Sequence, residues 1–304
     1  MLPRCRRPEC SGKVESDLFR AGRVRPVLLT HCGAGSNAST QDAADRSGAR
    51  GLSMLESGSS ALDAVVEAIV VLEDDPRLNA GTGSRMRLDG RTQMDAALMD
   101  SRMETGGVAV IEAVKNPIRV ARDVMGTPHV LLAGKDATDF ARTKGHPRYD
   151  PSTPESLQRL EESRERIREG RLPAYARRWR RFGGHDTVGA VARDRLGRFA
   201  AGSSTGGTAF MMPGRIGDSP LVGSGLYAGP AGAVTATGIG EEIIRRVLSK
   251  FVYDKIADGL TPQAAANRGL ALFPKSVPIG LLAVGSGGWG VASNRPMAFF
   301  RSAS

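Results

Sequence analysis

The 304-residue sequence predicts an α+β fold in which helices cover two sheets. Three observations lead to this class. Short apolar segments typical of strands come in pairs around glycine turns, and segments with helical spacing also come in pairs. A hydrophobic content of 40% is enough to form a full core, while an aromatic content of only 5% and 38 glycines suit tight turns and close backbone packing.

The first half of the chain supplies clear element signals. "PVLLTHC" (26–32) predicts a buried strand that ends at the glycine turn "GAGS". The segment 61–72 has an apolar face at helical spacing, with Ser59 or Ser60 as its N-cap. The remaining predictions are a helix over 40–57, a hairpin over 86–100 turning at Asp89–Gly90, a strand over 106–114 and a short helix in "NPIRVARDVM" with Pro117 in its first turn.

The segment 145–184 interrupts this pattern. Pro, Arg, Glu and Ser dominate it and apolar periodicity fades, which predicts a flexible Arg-rich linker, a lid or a processing segment. Regular structure resumes in "TVGAVARDRLGRFAAGSS", which predicts two strands around the turn 195–197. The later predictions are a helix from Gly240 to about Ala257, a helix in "LTPQAAANRGLALF" and a final hairpin in "IGLLAVGSGGWGVAS".

The charge distribution argues against nucleic acid as a partner. The net charge is +10, but residues 1–26 carry seven Lys/Arg against three acids, and residues 151–184 carry nine Arg against five acids. These two segments hold most of the excess, and the second has few aromatic residues, such as Tyr175 and Trp179, that could stack on bases. The rest of the chain is nearly balanced.

The same composition points to a cytoplasmic protein with no membrane partner. Three cysteines are too few and too uneven for a disulfide framework. No run of 18 apolar residues exists, and the basic N-terminal extension 1–25 lacks the apolar core of a signal peptide.

Four further patterns are weaker candidates for a functional site. "GSSTG" fits a nucleophile elbow at Ser204, but the residues after it contain two prolines and three glycines and cannot open the helix that an elbow needs. "GAGSNA" with Glu56 fits a dinucleotide fingerprint, yet no run of βαβ units follows. His31 and Cys32 are consecutive strand residues that point apart, and the spacing of Cys5, Cys10 and His31 matches no structural zinc pattern.

Thr187 is the strongest candidate for a nucleophile. It follows the segment 145–184, and if that is a processing segment, backbone cleavage before Thr187 would place an α-amine and a hydroxyl on one residue. Such an amine has a pKa of about 7.7–8.0 and can act as base for its own hydroxyl near neutral pH. The glycine-rich loops that follow carry further polar residues: Thr205, Arg215, Asp218 and Thr237.

Several motifs in order extend this hypothesis to a family. "LNAGTGSRMRLDGRTQMDAALMD", "VKNPIRVARDVM", "TPHVLLAG", "HDTVGAVARDRLGRFAAGSSTGG", "PGRIGDSPLVGSGLYA" and "TGIGEE" resemble the isoaspartyl peptidase/L-asparaginase family of N-terminal-nucleophile hydrolases. The resemblance spans about 26–289 without the linker. It implies a four-layer αββα sandwich made as a precursor that cleaves itself between Asp186 and Thr187. Residues 26–186 would then be the α-chain part and 187–304 the β-chain part of one domain.

The resemblance also implies a role for each matching residue. Thr187 would be nucleophile and base, with Thr205 hydrogen-bonded to it. Thr237 and Gly238 would form the oxyanion hole, while Arg215 and Asp218 would bind the carboxylate and the amine of the substrate. Gly240 would line the site and Asn79 would lie near the nucleophile.

The implied reaction releases L-aspartate from β-aspartyl dipeptides and L-asparagine, and family members are commonly homodimers of αβ units. The alternatives are a glycosylasparaginase, because the Asp–Thr junction is shared, or a non-catalytic basic relative. No cofactor takes part in the implied chemistry. The family's structural sodium ion is expected at the backbone of Leu72, Glu73, Asp75, Leu78, Ala80 and Thr82.

Two departures from the family pattern stand out. Cys32 replaces a glycine of the usual "HGGAG", which would cost on the order of 1 kcal/mol if that position needs a positive φ. Gly229 follows "GLYA" where the family usually has Asp, and the C-terminal end also differs.

Overall fold

The computed structural model describes residues 24–169, 187–208 and 211–302, and it has an α+β fold. The described residues form eleven strands and eight α-helices. In chain order they are β1 (Val27–His31), α1 (Gln41–Glu56), α2 (Ala61–Glu73), β2 (Met94–Asp100), β3 (Thr105–Ile111), α3 (Pro117–Met125), β4 (Leu131–Ala133), α4 (Gly134–Thr143), α5 (Pro154–Arg168), β5 (Val188–Arg193), β6 (Phe199–Thr205), β7 (Leu226–Gly229), β8 (Gly232–Gly238), α6 (Gly240–Arg246), α7 (Leu248–Ala257), α8 (Pro262–Leu270), β9 (Ile279–Gly285), β10 (Gly288–Ser293) and β11 (Phe299–Arg301).

The strands form two sheets. The larger has seven strands in the order β11-β1-β5-β6-β2-β3-β4, and the smaller has four in the order β10-β9-β8-β7. Every pair is antiparallel except β3 with β4. In the larger sheet, His31 pairs with Gly189 and Asp95 pairs with Thr205. The strand ends that carry these residues, in β1, β2, β5 and β6, therefore lie side by side at the same end of the sheet.

Three apolar clusters divide the core. Strand residues alternate between faces, so Leu28 packs with the cluster that includes α1, α2 and α3 while Leu29 packs with residues of the smaller sheet. Leu29 shares its cluster with Leu282 of β9, which places that cluster between the two sheets. The third cluster joins β8 and β9 to α6, α7 and α8.

Most of the predicted elements are present with shifted ends. The helix predicted over 61–72 is α2, and Ser60 is its N-cap because its hydroxyl accepts a hydrogen bond from the Asp63 amide at 3.1 Å. The turn at 195–197 lies between β5 and β6, with Gly197 at φ 74°. The last predicted hairpin is β9–β10.

The predicted hairpin over 86–100 is wrong in its first strand. Only Met94–Asp100 is extended, and both edges of that strand are already hydrogen-bonded, to β3 and to β6. The expected turn does form, because the Gly90 amide donates to the Arg87 carbonyl at 2.9 Å. Residues 86–93 are therefore a loop, and it carries the fully buried side chain of Arg87.

The prediction of an irregular segment over 145–184 is wrong for its middle part. Pro154–Arg168 forms helix α5, which begins with a capping box between Thr153 and Ser156 and has Pro154 in its first turn. Leu160 is buried beneath it. Residues 170–184 of the predicted linker, and the extension 1–23, lie outside the described residues.

The single helix predicted over 240–257 is two helices. Val247 ends α6 in the left-handed region, at φ 47° and ψ 51°. The next amides turn away from α6, since those of Ser249 and Lys250 donate to the carbonyls of Ser224 and Gly223. Strands β4 and β11 and helix α4 were not predicted, and α8 ends at Leu270 rather than near 273.

Within the part of the chain that the structure describes, no helix combines the length and the apolar character needed to cross a membrane.

Candidate active site

A small cavity lies where β5 begins, where β6 and β8 end, and where the glycine-rich loops follow β6. Six of the eight residues predicted for the catalytic and substrate-binding roles line it, together with two that were not predicted. The lining residues are Thr187, Thr205, Gly207, Thr208, Arg215, Asp218, Gly238 and Gly240.

Two threonine hydroxyls meet at this cavity. Thr187 directly precedes β5 and is only 5% exposed, and Thr205 is the last residue of β6. The Thr187 hydroxyl donates to Thr205 Oγ1 at 3.3 Å, and the same Thr205 oxygen accepts from the Gly207 amide at 3.0 Å. The pairing of β5 with β6 thus holds the two buried hydroxyls together at one end of the sheet.

Asn79 holds the loop beside this pair and does not line the cavity. Its Nδ2 donates to the Gly207 carbonyl at 2.6 Å, and its own carbonyl accepts from the Gly206 amide at 2.8 Å. A side chain at Gly206 would place Cβ 2.6 Å from Asn79 Oδ1. Asn79 therefore reaches the threonine pair through the backbone of residues 206–207.

Thr237 and Gly238 form the end of β8 on the other side of the site. The fully buried Thr237 Oγ1 accepts from the Ala34 amide at 3.2 Å, so its own proton can be donated to another acceptor. Gly238 has φ 144°, and a Cβ there would lie 2.2 Å from the Pro278 carbonyl oxygen. This position accepts glycine alone, which leaves the backbone next to the cavity uncovered.

Arg215 and Asp218 supply opposite charges on the loop 214–218, here called the GRIGD loop. Nε and Nη2 of Arg215 donate to the two carboxylate oxygens of Glu241 at 3.0 and 3.1 Å, which fixes the plane of the guanidinium. Burial raises the pKa of Asp218 to about 7, with Arg215 opposing that shift and Glu241 adding to it. The carboxyl Oδ2 of Asp218 has no hydrogen-bond partner among the described residues.

Gly240 keeps the space between these two charges open. A Cβ at this position would lie 2.8 Å from Asp218 Oδ1 and 2.9 Å from Arg215 Nη2. The site therefore presents a cation and a carboxyl group on either side of a residue without a side chain. That arrangement can bind the carboxylate and the ammonium of an amino acid.

Four further residues of the site were not predicted from the sequence: Gly207, Thr208, Glu241 and Asp95. Asp95 is fully buried in β2, which is buried along its whole length. A carboxylate in such a strand is a signal that could have been read, because an unpaired charge is rarely buried.

The rejected motifs have structural roles. The Ser204 hydroxyl donates to the buried Glu73 carboxyl at 2.6 Å, and burial raises the pKa of Glu73 to about 8. No helix follows β6 directly, so the elbow geometry is not present. Strand β1 has antiparallel neighbours on both sides, which a dinucleotide-binding βαβ unit does not.

His31 and Cys32 are both buried and form no dyad. Burial lowers the pKa of His31 to about 3, and the nearby Thr187 backbone opposes that shift only in part. The Cys32 thiol contacts the Thr40 carbonyl at 3.6 Å. Cys32 does not have a positive φ, so the cost considered for this replacement does not arise; Gly33 and Gly35 have the positive values.

Gly229 allows a contact that a larger residue would block. A Cβ there would lie 2.4 Å from the Tyr253 hydroxyl, and the Tyr253 ring packs on Tyr227 with centroids 4.7 Å apart. The space that a side chain at this position would need is thus occupied by Tyr253, which packs on Tyr227.

Asp186 of the predicted cleavage junction lies outside the described residues. So do Cys5 and Cys10 of the rejected zinc pattern. Within the described ranges, no group of three or more His, Cys, Asp or Glu side chains is placed to hold a metal ion.

Comparisons with known proteins agree with this arrangement. The family model described as Asparaginase matches residues 24–303. The chain is 45% identical over 227 residues to a plant-type L-asparaginase of Pyrococcus horikoshii, covering 71% of this chain and 73% of that protein. It is 38% identical over 256 residues to an isoaspartyl peptidase/L-asparaginase of Bos taurus, covering 81% and 82%. It is also 39% identical over 227 residues to an N(4)-(beta-N-acetylglucosaminyl)-L-asparaginase of Elizabethkingia miricola, covering 74% and 65%.

Proposed function

Since this chain belongs to the asparaginase family, we propose that it is an autoprocessed amidohydrolase that uses Thr187 as its nucleophile. The proposed substrates are β-aspartyl dipeptides and L-asparagine, and the shared product is L-aspartate. The observation that carries the proposal is the buried Thr187–Thr205 hydroxyl pair in one cavity with Arg215 and Asp218. The proposed fold is the four-layer αββα sandwich, which the three core clusters support.

Cleavage before Thr187 would create the base that the reaction needs. The new α-amine has an ordinary pKa of about 7.7–8.0 and accepts the proton of the Thr187 hydroxyl. Thr205 accepts a hydrogen bond from that hydroxyl, so it orients the oxygen before the attack.

The charges on the GRIGD loop would place the substrate for this attack. Arg215 binds the α-carboxylate through the guanidinium edge that Glu241 does not occupy, and ionised Asp218 binds the α-ammonium. The Thr187 oxygen then adds to the β-carbonyl carbon. The oxyanion that forms accepts hydrogen bonds from Thr237 and the Gly238 backbone, an interaction that contributes roughly 2.7–4 kcal/mol per donor.

The reaction would finish in two proton-balanced steps. The Thr187 ammonium returns its proton to the leaving amine or ammonia as the carbon–nitrogen bond breaks, which leaves an aspartyl ester on Thr187. The freed α-amine then takes a proton from water, whose oxygen attacks the ester carbonyl. The bond between that carbon and the Thr187 oxygen breaks, and the α-ammonium returns the proton to this oxygen, which releases L-aspartate and restores the hydroxyl.

We also propose that the loop 72–82 holds the structural sodium ion that the family implies. A Cβ at Gly83 would lie 2.2 Å from the Pro76 carbonyl oxygen and 3.0 Å from that of Leu78, so backbone oxygens converge here where no side chain fits. Backbone carbonyls are the ligands expected for a hard cation. Leu72, Glu73, Asp75, Leu78, Ala80 and Thr82 would hold it, and the ion would stabilise the loop that carries Asn79. We also propose the homodimer of αβ units that the family implies.

The test is intact-mass spectrometry of purified protein under denaturing conditions. The proposal predicts fragments of residues 1–186 and 187–304, the second beginning with Thr187. Thr187→Ala should remain a single chain and release no aspartate. Ser204→Ala, which changes a neighbouring hydroxyl outside the cavity, should still be cleaved and active.

Aspartate release from three substrates separates the remaining alternatives. A β-aspartyl dipeptide and L-asparagine should be hydrolysed faster than N4-(β-N-acetylglucosaminyl)-L-asparagine. The reverse order would favour a glycosylasparaginase, a candidate that the Elizabethkingia miricola relative supports. An uncleaved wild-type chain with no activity on any of the three would instead identify a non-catalytic relative.

A further inference from the structure

Asp95 lies beside the candidate site without lining its cavity. It is the second residue of β2 and pairs directly with Thr205 of the neighbouring strand β6. Its side chain is fully buried, which makes it costly unless its oxygens are satisfied. The contacts of those oxygens show what the carboxyl group does.

One carboxylate oxygen of Asp95 accepts a hydrogen bond from a β-bulge in β3. Oδ1 accepts from the Val110 amide at 2.8 Å, and Val110 has φ 48°, in the left-handed region that β-branched residues avoid. The pairing of β2 with β3 shifts register here, because Met94 pairs with Ile111 while Ala96 pairs with Val108. The bulge turns the Val110 amide toward the carboxyl group, and such strain is found where surrounding structure enforces it.

The other oxygen of Asp95 is bound by the GRIGD loop. Oδ2 accepts from the Gly217 amide at 3.2 Å, and Gly217 lies between Arg215 and Asp218 in the chain. The start of the same loop is held by a neighbour of Asp95, since the Gly214 amide donates to Gln93 Oε1 at 2.8 Å. Gln93 directly precedes β2 and Asp95 is its second residue, and both side chains are buried, so the start of β2 holds the loop at two points.

We infer that Asp95, assisted by Gln93, is a positioning residue that fixes the GRIGD loop and thereby sets the distance between Arg215 and Asp218. The inference rests on the proposed function, because it assigns these two charges to the head group of the substrate. Asp95 touches neither the reacting atoms nor the cavity, so it acts on binding through the loop backbone.

The test compares Asp95→Asn with Asp100→Asn in the processed enzyme. The two aspartates lie at opposite ends of β2, and each accepts two backbone amides; those bound to Asp100 come from Arg102 and Glu104. Asparagine keeps the size of the side chain but presents an NH₂ group to one of the amides. We expect the KM of Asp95→Asn for L-asparagine to rise tenfold or more with kcat within about threefold, and both constants of Asp100→Asn to stay within twofold.

Hydrogen exchange supplies a readout that does not depend on activity. Peptides covering 211–225 should exchange faster in Asp95→Asn than in wild type, and Asp100→Asn should leave them unchanged. If wild type proves inactive, the proposed function fails while this measurement still decides whether Asp95 holds the loop. If Asp95→Asn does not fold, Gln93→Met, which removes the bond to Gly214, should show the same rise in KM and exchange.

A double-mutant cycle with Arg215→Lys identifies the route of the effect. Positioning through the loop predicts that adding Asp95→Asn to Arg215→Lys raises KM much less than it does in the wild type. A folded Asp95→Asn protein with unchanged KM and unchanged exchange would overturn the inference, as would fully additive effects in the cycle.

Discussion

The polar side chains at the two ends of the seven-stranded sheet differ in how completely they are hydrogen-bonded. At the cavity, the site end carries Thr187 and Thr205 beside the loop residue Asp218, and the far end carries Asp100 and Asp194. At the far end, backbone amides and an arginine bind each aspartate. Asp194 accepts hydrogen bonds from the amides of Leu196, Arg198 and Ala61, and it forms an ion pair with Arg198 at 2.8 Å. At the site end the hydroxyls bond to each other and the Asp218 carboxyl keeps an oxygen without a partner among the described residues.

Under the proposed function, this difference separates groups that stabilise the fold from groups that bind the substrate. A fully hydrogen-bonded carboxylate contributes to stability, whereas an incompletely bonded one is costly until something binds to it. The raised pKa of Asp218 reports that cost, because its burial disfavours the charged form. Substitutions at the site end should therefore change binding, and those at the far end should change stability.

The largest effect is expected for Asp218→Asn. Removing one partner of a buried charge pair costs about 2–5 kcal/mol, so the Kd of the processed protein for L-aspartate should rise about 30-fold or more at pH 8. Isothermal titration calorimetry measures this directly. Glu242→Gln, which alters a half-buried carboxylate of α6 that pairs with Arg245 and Arg246 and does not line the cavity, should leave the Kd within twofold.

The pH dependence of the same Kd sharpens this expectation. Burial, with smaller contributions from Glu241 and Asp95, raises the pKa of Asp218 to about 7 against the lowering effect of Arg215. Below that pH the carboxyl group is protonated and cannot pair with ammonium, so the wild-type Kd should rise up to tenfold per pH unit from 7 to 5. Asp218→Asn should lack this slope, and a slope retained in the variant would assign it to another group.

A moderate effect is expected for Gly240→Ala. The new Cβ would press on Asp218 Oδ1 and Arg215 Nη2, and both can move because they end side chains. The KM for L-asparagine should rise about tenfold while the melting temperature changes little. Gly287→Ala is the matched control, because its Cβ would meet no atom within 4 Å and its φ is not positive; equal effects of the two variants would contradict the steric explanation.

The smallest effect on activity is expected for Asp194→Asn at the far end. The side chain is 2% exposed and links the β5–β6 turn to the first amide of α2. Weakening these bonds should lower the free energy of unfolding by about 1–3 kcal/mol, measured by urea denaturation. The kinetic constants should stay within twofold, and a large change in KM would show that the two ends are not independent.

Local signals predicted the regular parts of the fold well and the long-range parts poorly. Ser60 before an apolar helical face fixed the start of α2, and the Thr153–Pro154 pair that begins α5 was available but was outweighed by the charged residues after it. The break at Val247 could not be read locally, since it depends on amides that bind residues 223 and 224 in a distant loop. Strand β11 likewise exists because it pairs with β1, some 270 residues away.

The candidate site shows the same division. Family motifs predicted that Thr187, Arg215 and Asp218 lie in one site, and they share a cavity because Thr187 precedes β5 while the GRIGD loop follows the neighbouring strand β6. Asn79 was expected near the nucleophile, and the structure connects it only through the loop 206–207. Asp95 and Glu241 were missed because each acts on a residue far away in the chain, a relation that spacing does not reveal.

The strand order of the larger sheet has a consequence for a chain cut before Thr187. Strands from 24–169 and from 187–302 are interleaved, so the two pieces meet at three interfaces: β11 with β1, β1 with β5, and β6 with β2. Neither piece holds an uninterrupted sheet of its own in that layer. Complete separation would therefore expose the interior of both, and unfolding of the cut protein would be a dissociation whose midpoint depends on concentration. The pieces should behave as complementing fragments, which are best produced by letting one chain fold first and be cut afterwards.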